Sequence, residues 1–156
     1  MNEKAFTLIE ILVVTAITMI VTGTAIAGYR RFNKKQILQT AAAELKNNLN
    51  LARGWAMAAR KKFCVDNGKT LLGYKVEISA RSETSAGFYE IYEVCNDNSS
   101  ELVETFSFPD KLDNTGGTTI LFQVLSGAAD ATTITLSLDT ISEQEQISIK
   151  TNGQIE

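Results

Sequence analysis

A carboxylate at position 10 interrupts a stretch, Phe6 to Tyr29, that carries no other charge. An ionised carboxylate deep in apolar surroundings costs about 2.5–3.5 kcal/mol on insertion scales, and such groups are usually paired. At the headgroup level the cost is small, so one reading of Glu10 is a residue at the membrane boundary. The other reading needs a cation. No Lys or Arg lies one helical turn further along, so the cation would be an α-amino group at a new N-terminus just before Glu10, its own or a neighbour's.

The remaining reactive residues are few. Histidine is absent, which removes the usual general base near neutral pH and the commonest metal ligand. A serine nucleophile would lack its partner. No GxSxG, phosphate-binding loop or metal set occurs, so the chain reads as a non-enzyme without metal or cofactor. The acid pair Glu143/Glu145 reads as a solvated face. Cys64 and Cys95 lack CxxC spacing. A bond between them would close a loop of about 30 residues and stabilise by about 3 kcal/mol in the chain-entropy picture. It would also imply an oxidising compartment. Two buried thiols are the alternative, because their separation is invisible in sequence.

The elements that must position these groups begin with a long helix. Nineteen uncharged residues run from Ile11 to Tyr29. As a helix they span roughly 28 Å, the thickness of a bilayer core. Arg30, Arg31, Lys34 and Lys35 end the run. A secretory signal fits poorly, since the basic cluster stands where cleavage should occur. A buried core helix also fits poorly, because little else in the chain is apolar enough to cover it. The charge count around the span, four basic residues after it against Lys4 before it, would by itself keep the rest of the chain in the cytoplasm.

Leu38, Ala41/Ala42, Leu45, Leu49, Ala52, Trp55/Ala56 and Ala59 then recur at steps of three and four, with polar residues between them. This amphipathic pattern predicts that the helix continues from Phe6 to about Lys62, roughly 85 Å in all. Gly23 and Gly28 could bend or melt it. Gly23 to Ala27 offers either a small packing face or plain lipid exposure.

Beyond Lys62 the pattern predicts strands at Phe63–Val65, Leu71–Ser79, Gly87–Val94, Leu102–Phe108, Thr119–Val124, Thr132–Leu138 and Gln146–Lys150. Turn signals stand at Asp66–Gly68, Asn96–Asn98, Asn114–Gly117 and Asn152–Gly153. The expected fold class is α+β: a long N-terminal helix, membrane-spanning in its first half, packed on a C-terminal antiparallel sheet domain. The expected units are residues 1–5, a leader; 6–29, the transmembrane half; 30–62, the amphipathic half; and 63–156, the β-rich domain. Charge divides unevenly. Residues 1–98 hold 13 Lys/Arg against 9 Asp/Glu, and residues 99–156 hold 2 against 9. An acidic C-terminal part and a net charge of −3 argue against general nucleic-acid affinity.

Ala5-Phe6-Thr7-Leu8-Ile9-Glu10-Ile11-Leu12-Val13-Val14 resembles the class III signal of type IV pilins and type II secretion pseudopilins. The resemblance implies cleavage by prepilin peptidase between Ala5 and Phe6, and methylation of the new N-terminus at Phe6. Glu10 becomes the fifth mature residue, which in such assemblies pairs with the N-terminal amine of an adjacent subunit. Two departures stand out. Ala5 replaces the family's usual glycine, and no proline lies in the apolar helix; the only one is Pro109. The resemblance also implies a leader in the cytoplasm and a domain outside, against the charge count.

The tail, Phe122–Gly127, Thr133–Leu138 and Ile147–Ile155, resembles the closing pattern of GspH/FimT-type minor pseudopilins. The implied partners are other pilins, prepilin peptidase and an inner-membrane assembly platform. The implied location is a bacterial inner membrane, single pass, with the domain extracytoplasmic and assembled into a filament, at its tip or at initiation. Two alternatives stay open. A FimT-like DNA-binding minor pilin would need a Lys/Arg cluster; Arg60, Lys61 and Lys62 form a small patch that reads better as a complement to the helix dipole. A lone anchored β domain would be neither processed nor sensitive to Glu10→Ala. A type II pseudopilus, a type IV pilus and a competence filament share these motifs.

Overall fold

The computed structural model describes residues 7–60, 62–82, 86–110, 112–114, 117–138 and 141–156. Helix α1 runs unbroken from Leu8 to Met57; Gly23 and Gly28 do not interrupt it. Thr7 caps its start with extended backbone, and its hydroxyl oxygen accepts from the Glu10 amide at 3.4 Å. That satisfies one of the donors a helix start leaves over.

The helix ends five residues earlier than its periodicity predicts. Ala59 takes a left-handed φ of 48°. The Arg60 amide donates to Trp55 O, and the Ala59 amide to Ala56 O, both at 3.0 Å. This is the Schellman arrangement, with alanine where glycine is usual. The Arg60 guanidinium lies 5.0 Å over the Trp55 ring, completing the contact that such a cap brings with it.

Phe63–Asp66 is a helical turn, α2, not the predicted strand. The cause lies on a distant strand. The Glu93 carboxylate accepts from the amides of Lys62 (3.1 Å), Phe63 (3.3 Å) and Cys64 (3.0 Å), so those amides face a side chain instead of a neighbouring strand.

Seven strands follow: β1 Leu71–Ser79, β2 Phe88–Cys95, β3 Ser100–Ser107, β4 Leu112–Asn114, β5 Thr118–Gln123, β6 Thr132–Leu138 and β7 Ile141–Ile149. They form a four-stranded sheet in the order β3-β2-β1-β5 and a three-stranded sheet in the order β4-β6-β7, with every pairing antiparallel. β4 has no counterpart among the predicted strands; only its last residue, Asn114, falls in an expected turn. Six predicted strands match β1, β2, β3, β5, β6 and β7, with β7 starting five residues early.

α1 packs against β1, β5, β6 and β7. Its stripe of Leu38, Leu45, Leu49, Ala52 and Ala56 meets Val76, Ile78, Phe122, Ile134 and Ile147 in one buried cluster. Alternation puts every second residue of a strand on that face. Gly73 is needed there: a Cβ would lie 2.1 Å from Phe122 O.

Candidate functional site

Glu10 lies in the first turn of α1, three residues after its cap. A negative charge there is favoured by the helix dipole. The side chain is exposed, and among the described residues no Lys or Arg forms an ion pair with it. Ala5 and Phe6, the expected cleavage and methylation residues, and the expected leader lie outside the described residues.

The helix after Glu10 suits an apolar solvent more fully than its composition suggests. It contains an 18-residue stretch of mean hydropathy 2.1, none of it buried in the fold. Leu8, Ile9, Leu12, Val13, Ile17 and Ile20 are all exposed. Three threonines within it hide their polarity. Thr15 donates to Leu12 O and Thr18 to Val14 O at 2.9 Å, and Thr22 donates to Thr18 O at 2.7 Å. Each hydroxyl is satisfied by its own helix, as hydrocarbon requires. The helix is long and apolar enough to cross a membrane once.

Below that stretch the basic cluster meets the β domain. Arg31 and Lys35 pair with Glu143 at 3.6 and 3.2 Å. Glu143 lies at the start of β7 and is therefore not simply a solvated face. This contact joins the boundary of the apolar stretch to the β6–β7 hairpin, and no sequence signal pointed to it.

At the far end of α1 two glycines let the C-terminal turn approach. Gly153 (φ +75°) sits so close to Gly127 that a Cβ would lie 1.8 Å from Gly127 O. Gly127 (φ +61°) in turn leaves no room for a Cβ beside Met57, which would be 2.7 Å away. Arg53 reaches over both and donates to Asn152 O at 3.3 Å. Ile155 then bridges to Ile149.

Arg60 and Lys62 stand just beyond the last turn of α1, which itself holds no basic residue. Arg60 covers Trp55, and the Lys62 amide serves Glu93. Lys61 lies outside the described residues. Beside Glu93, the Tyr74 hydroxyl donates to Arg60 O at 2.8 Å. Burial and then the Glu93 carboxylate push Tyr74 up to about 12, with Arg60 pulling the other way. Cys64 and Cys95 are bonded, with Cα atoms 5.6 Å apart and both residues fully buried. At the β2–β3 turn, Lys69 and Ser99 hold the Asp97 carboxyl well below the usual carboxylate range.

These contacts hold a structure together; they align no nucleophile with a base. Among the described residues no group of three or more His, Cys, Asp or Glu side chains could hold a metal ion. Residues 1–26 match the family model of the prokaryotic N-terminal methylation motif. No curated protein and no solved structure matches the chain. The motif match supports a type IV pilin-like subunit, and with the apolar helix it supports a single-pass membrane anchor.

Proposed function

We propose that this chain is a structural subunit of a pilin-like filament, more narrowly a GspH/FimT-type minor pilin or pseudopilin acting at initiation or at the tip. In this reading prepilin peptidase cuts between Ala5 and Phe6, Phe6 is methylated, and the apolar half of α1 passes from the inner membrane into the filament core. The observation that carries the reading is the matched motif on a helix whose Glu10 has no cation among the described residues. An amine about 4 Å from a carboxylate attracts it by about 4 kcal/mol at an effective dielectric of about 20. A neighbour's N-terminal amine would thus fix axial register and recruit the next subunit.

The domain is placed on the extracytoplasmic side, against the charge count. The buried Cys64–Cys95 bond supports this side, because disulfides persist in oxidising compartments. The units of the chain follow: leader 1–5, transmembrane half 6–29, amphipathic segment 30–62 with its helical part ending at Met57, and β-rich domain 63–156. The tail contacts among Arg53, Gly127 and Gly153 give a physical reason for the glycines of the closing pattern, which supports the narrower assignment.

The test is recovery of Glu10→Ala in sheared filament and membrane fractions of cells that assemble the native chain. The expected result is a processed, membrane-held protein absent from the filament fraction. Equal incorporation of the variant would defeat the proposal.

A further inference from the structure

Because α1 packs on β1, β5, β6 and β7, it leaves one flank of the larger sheet uncovered. β3 is the edge strand there. Seven of its eight residues are exposed, and among the described residues no strand pairs with its outer edge. Between the strand and the helix lie two clefts. One, of about 450 Å³, has Glu44 and Asn48 of α1 on one side, Phe106 of β3 on the other and Tyr89 beneath. The next, of about 420 Å³, has Trp55 above Tyr74 and Glu93, with Glu101 and Val103 at the strand. On the helix side Glu44, Asn48, Leu51 and Trp55 fall at steps of four, three and four, one continuous stripe.

The strand's register decides which side chains face this trough. Glu101 lies opposite Glu93, Glu104 opposite Ile91, and Phe106 opposite Tyr89. The partners Glu93, Ile91 and Tyr89 are all buried on the helix side, so Glu101, Glu104 and Phe106 share that face. Val103 has no opposite residue, because the register shifts between Ile91 and Tyr92. The trough therefore combines unpaired strand backbone, the half-exposed apolar side chains Leu51 and Val103, and the carboxylates Glu44, Glu101 and Glu104. Glu44 and Glu104 are close enough to Tyr89 to add to the effect of burial in raising its hydroxyl pKa. Two cations, Arg60 and Lys62, line the second cleft against the three carboxylates Asp66, Glu93 and Glu101, and Arg60 lies over the Trp55 ring.

We propose that this trough docks an extended, basic segment of a partner protein, which adds to the outer edge of β3 as a further strand and sets Lys or Arg side chains against Glu44, Glu101 and Glu104. Main-chain hydrogen bonds to an open edge supply affinity, and the alternate side chains supply selection. The acidic lining selects against nucleic acid and for a cationic peptide. The site does not depend on the filament reading, since it uses neither Glu10 nor the apolar half of α1.

The experiment uses the full chain in lipid nanodiscs and a fluorescein-labelled nonapeptide of alternating Lys and Val, followed by anisotropy and amide hydrogen exchange. The expected result is salt-sensitive binding with slower exchange across residues 100–107. The glutamate-for-lysine peptide should not bind. A peptide N-methylated at alternate residues, which keeps its charge but cannot pair as a strand, should also fail. Glu101→Lys/Glu104→Lys should weaken binding about tenfold or more, as loss of close charge pairs does. Glu44→Lys, on the helix side, checks the result should the strand variant fold poorly. The proposal is overturned by absence of binding, by equal binding of the N-methylated peptide, by unchanged exchange in 100–107, or by indifference to these charge reversals.

Discussion

From Leu8 to Phe32 the large apolar residues of α1 point in every direction and stay exposed, whereas from Leu38 to Ala56 most of the apolar residues form one buried stripe, Leu51 and Trp55 standing at its margin. The backbone is the same unbroken helix in both halves. What differs is where the apolar surface finds cover. The lower half folds against the two sheets, and its other faces are mostly polar. The upper half has no cover within its own chain, and only lipid or other helices can supply it. The boundary between the halves is where Arg31 and Lys35 meet Glu143. One helix thus meets two solvents, and a disruptive substitution in each half should move a different readout.

The largest effects expected come from one substitution in each half. Ile17→Arg should cost about 2.5–3.5 kcal/mol of insertion near the middle of the span. It should lower recovery in the membrane fraction while leaving the domain's urea midpoint unchanged. Leu49→Ala should do the reverse. Leu49 is fully buried, and removing it should cost about 2–5 kcal/mol of domain stability with membrane recovery intact. If both variants moved the same readout, the division between the halves would be wrong.

The Cys64→Ser/Cys95→Ser variant should lose about 3 kcal/mol, as expected for a loop of roughly 30 residues, again only in the domain's unfolding curve.

The end of the buried half offers a gain. Ala59 occupies a left-handed cap at φ 48°, so Ala59→Gly should stabilise by about 1 kcal/mol, read as a raised urea midpoint. Nearby, Tyr74 provides a pH signature. Its folded value is raised from 10.0 to about 12. The stability it contributes is therefore fully present below pH 10 and is lost as pH rises toward 12. Tyr74→Phe should flatten that alkaline loss. The smallest effect expected is Glu143→Gln, at most about 1 kcal/mol for a largely solvated pair, and that effect should fade at high salt.

Much of this architecture is legible in local patterns. Steps of three and four mark the buried stripe of α1, and Ile134, Leu136 and Leu138 mark β6 by simple alternation. The features that escape are those decided by residues far away. Phe63–Asp66 carries the apolar, β-branched look of a strand, but Glu93, some 30 residues on, takes its amides and winds it into a turn. The end of α1 escapes because Ala59 is not the glycine that would announce a left-handed cap. β4 is three residues long and exists only through its pairing with β6. For the candidate site, the placement of Glu10 in an apolar helix is readable directly, whereas its position three residues after the Thr7 cap emerges only from backbone geometry. The Glu143 contact and the α1–β3 trough depend on how sheet and helix are set against each other, which no local pattern encodes.

The central claim is that the uncovered half of α1 is a processed assembly helix, and its most direct test is the N-terminal peptide of the protein recovered from its native membrane, read by mass spectrometry. The account predicts a chain beginning at methylated Phe6, with residues 1–5 removed. A chain still beginning at Met1, in cells with active prepilin peptidase, would contradict it and leave an anchored β domain outside any filament.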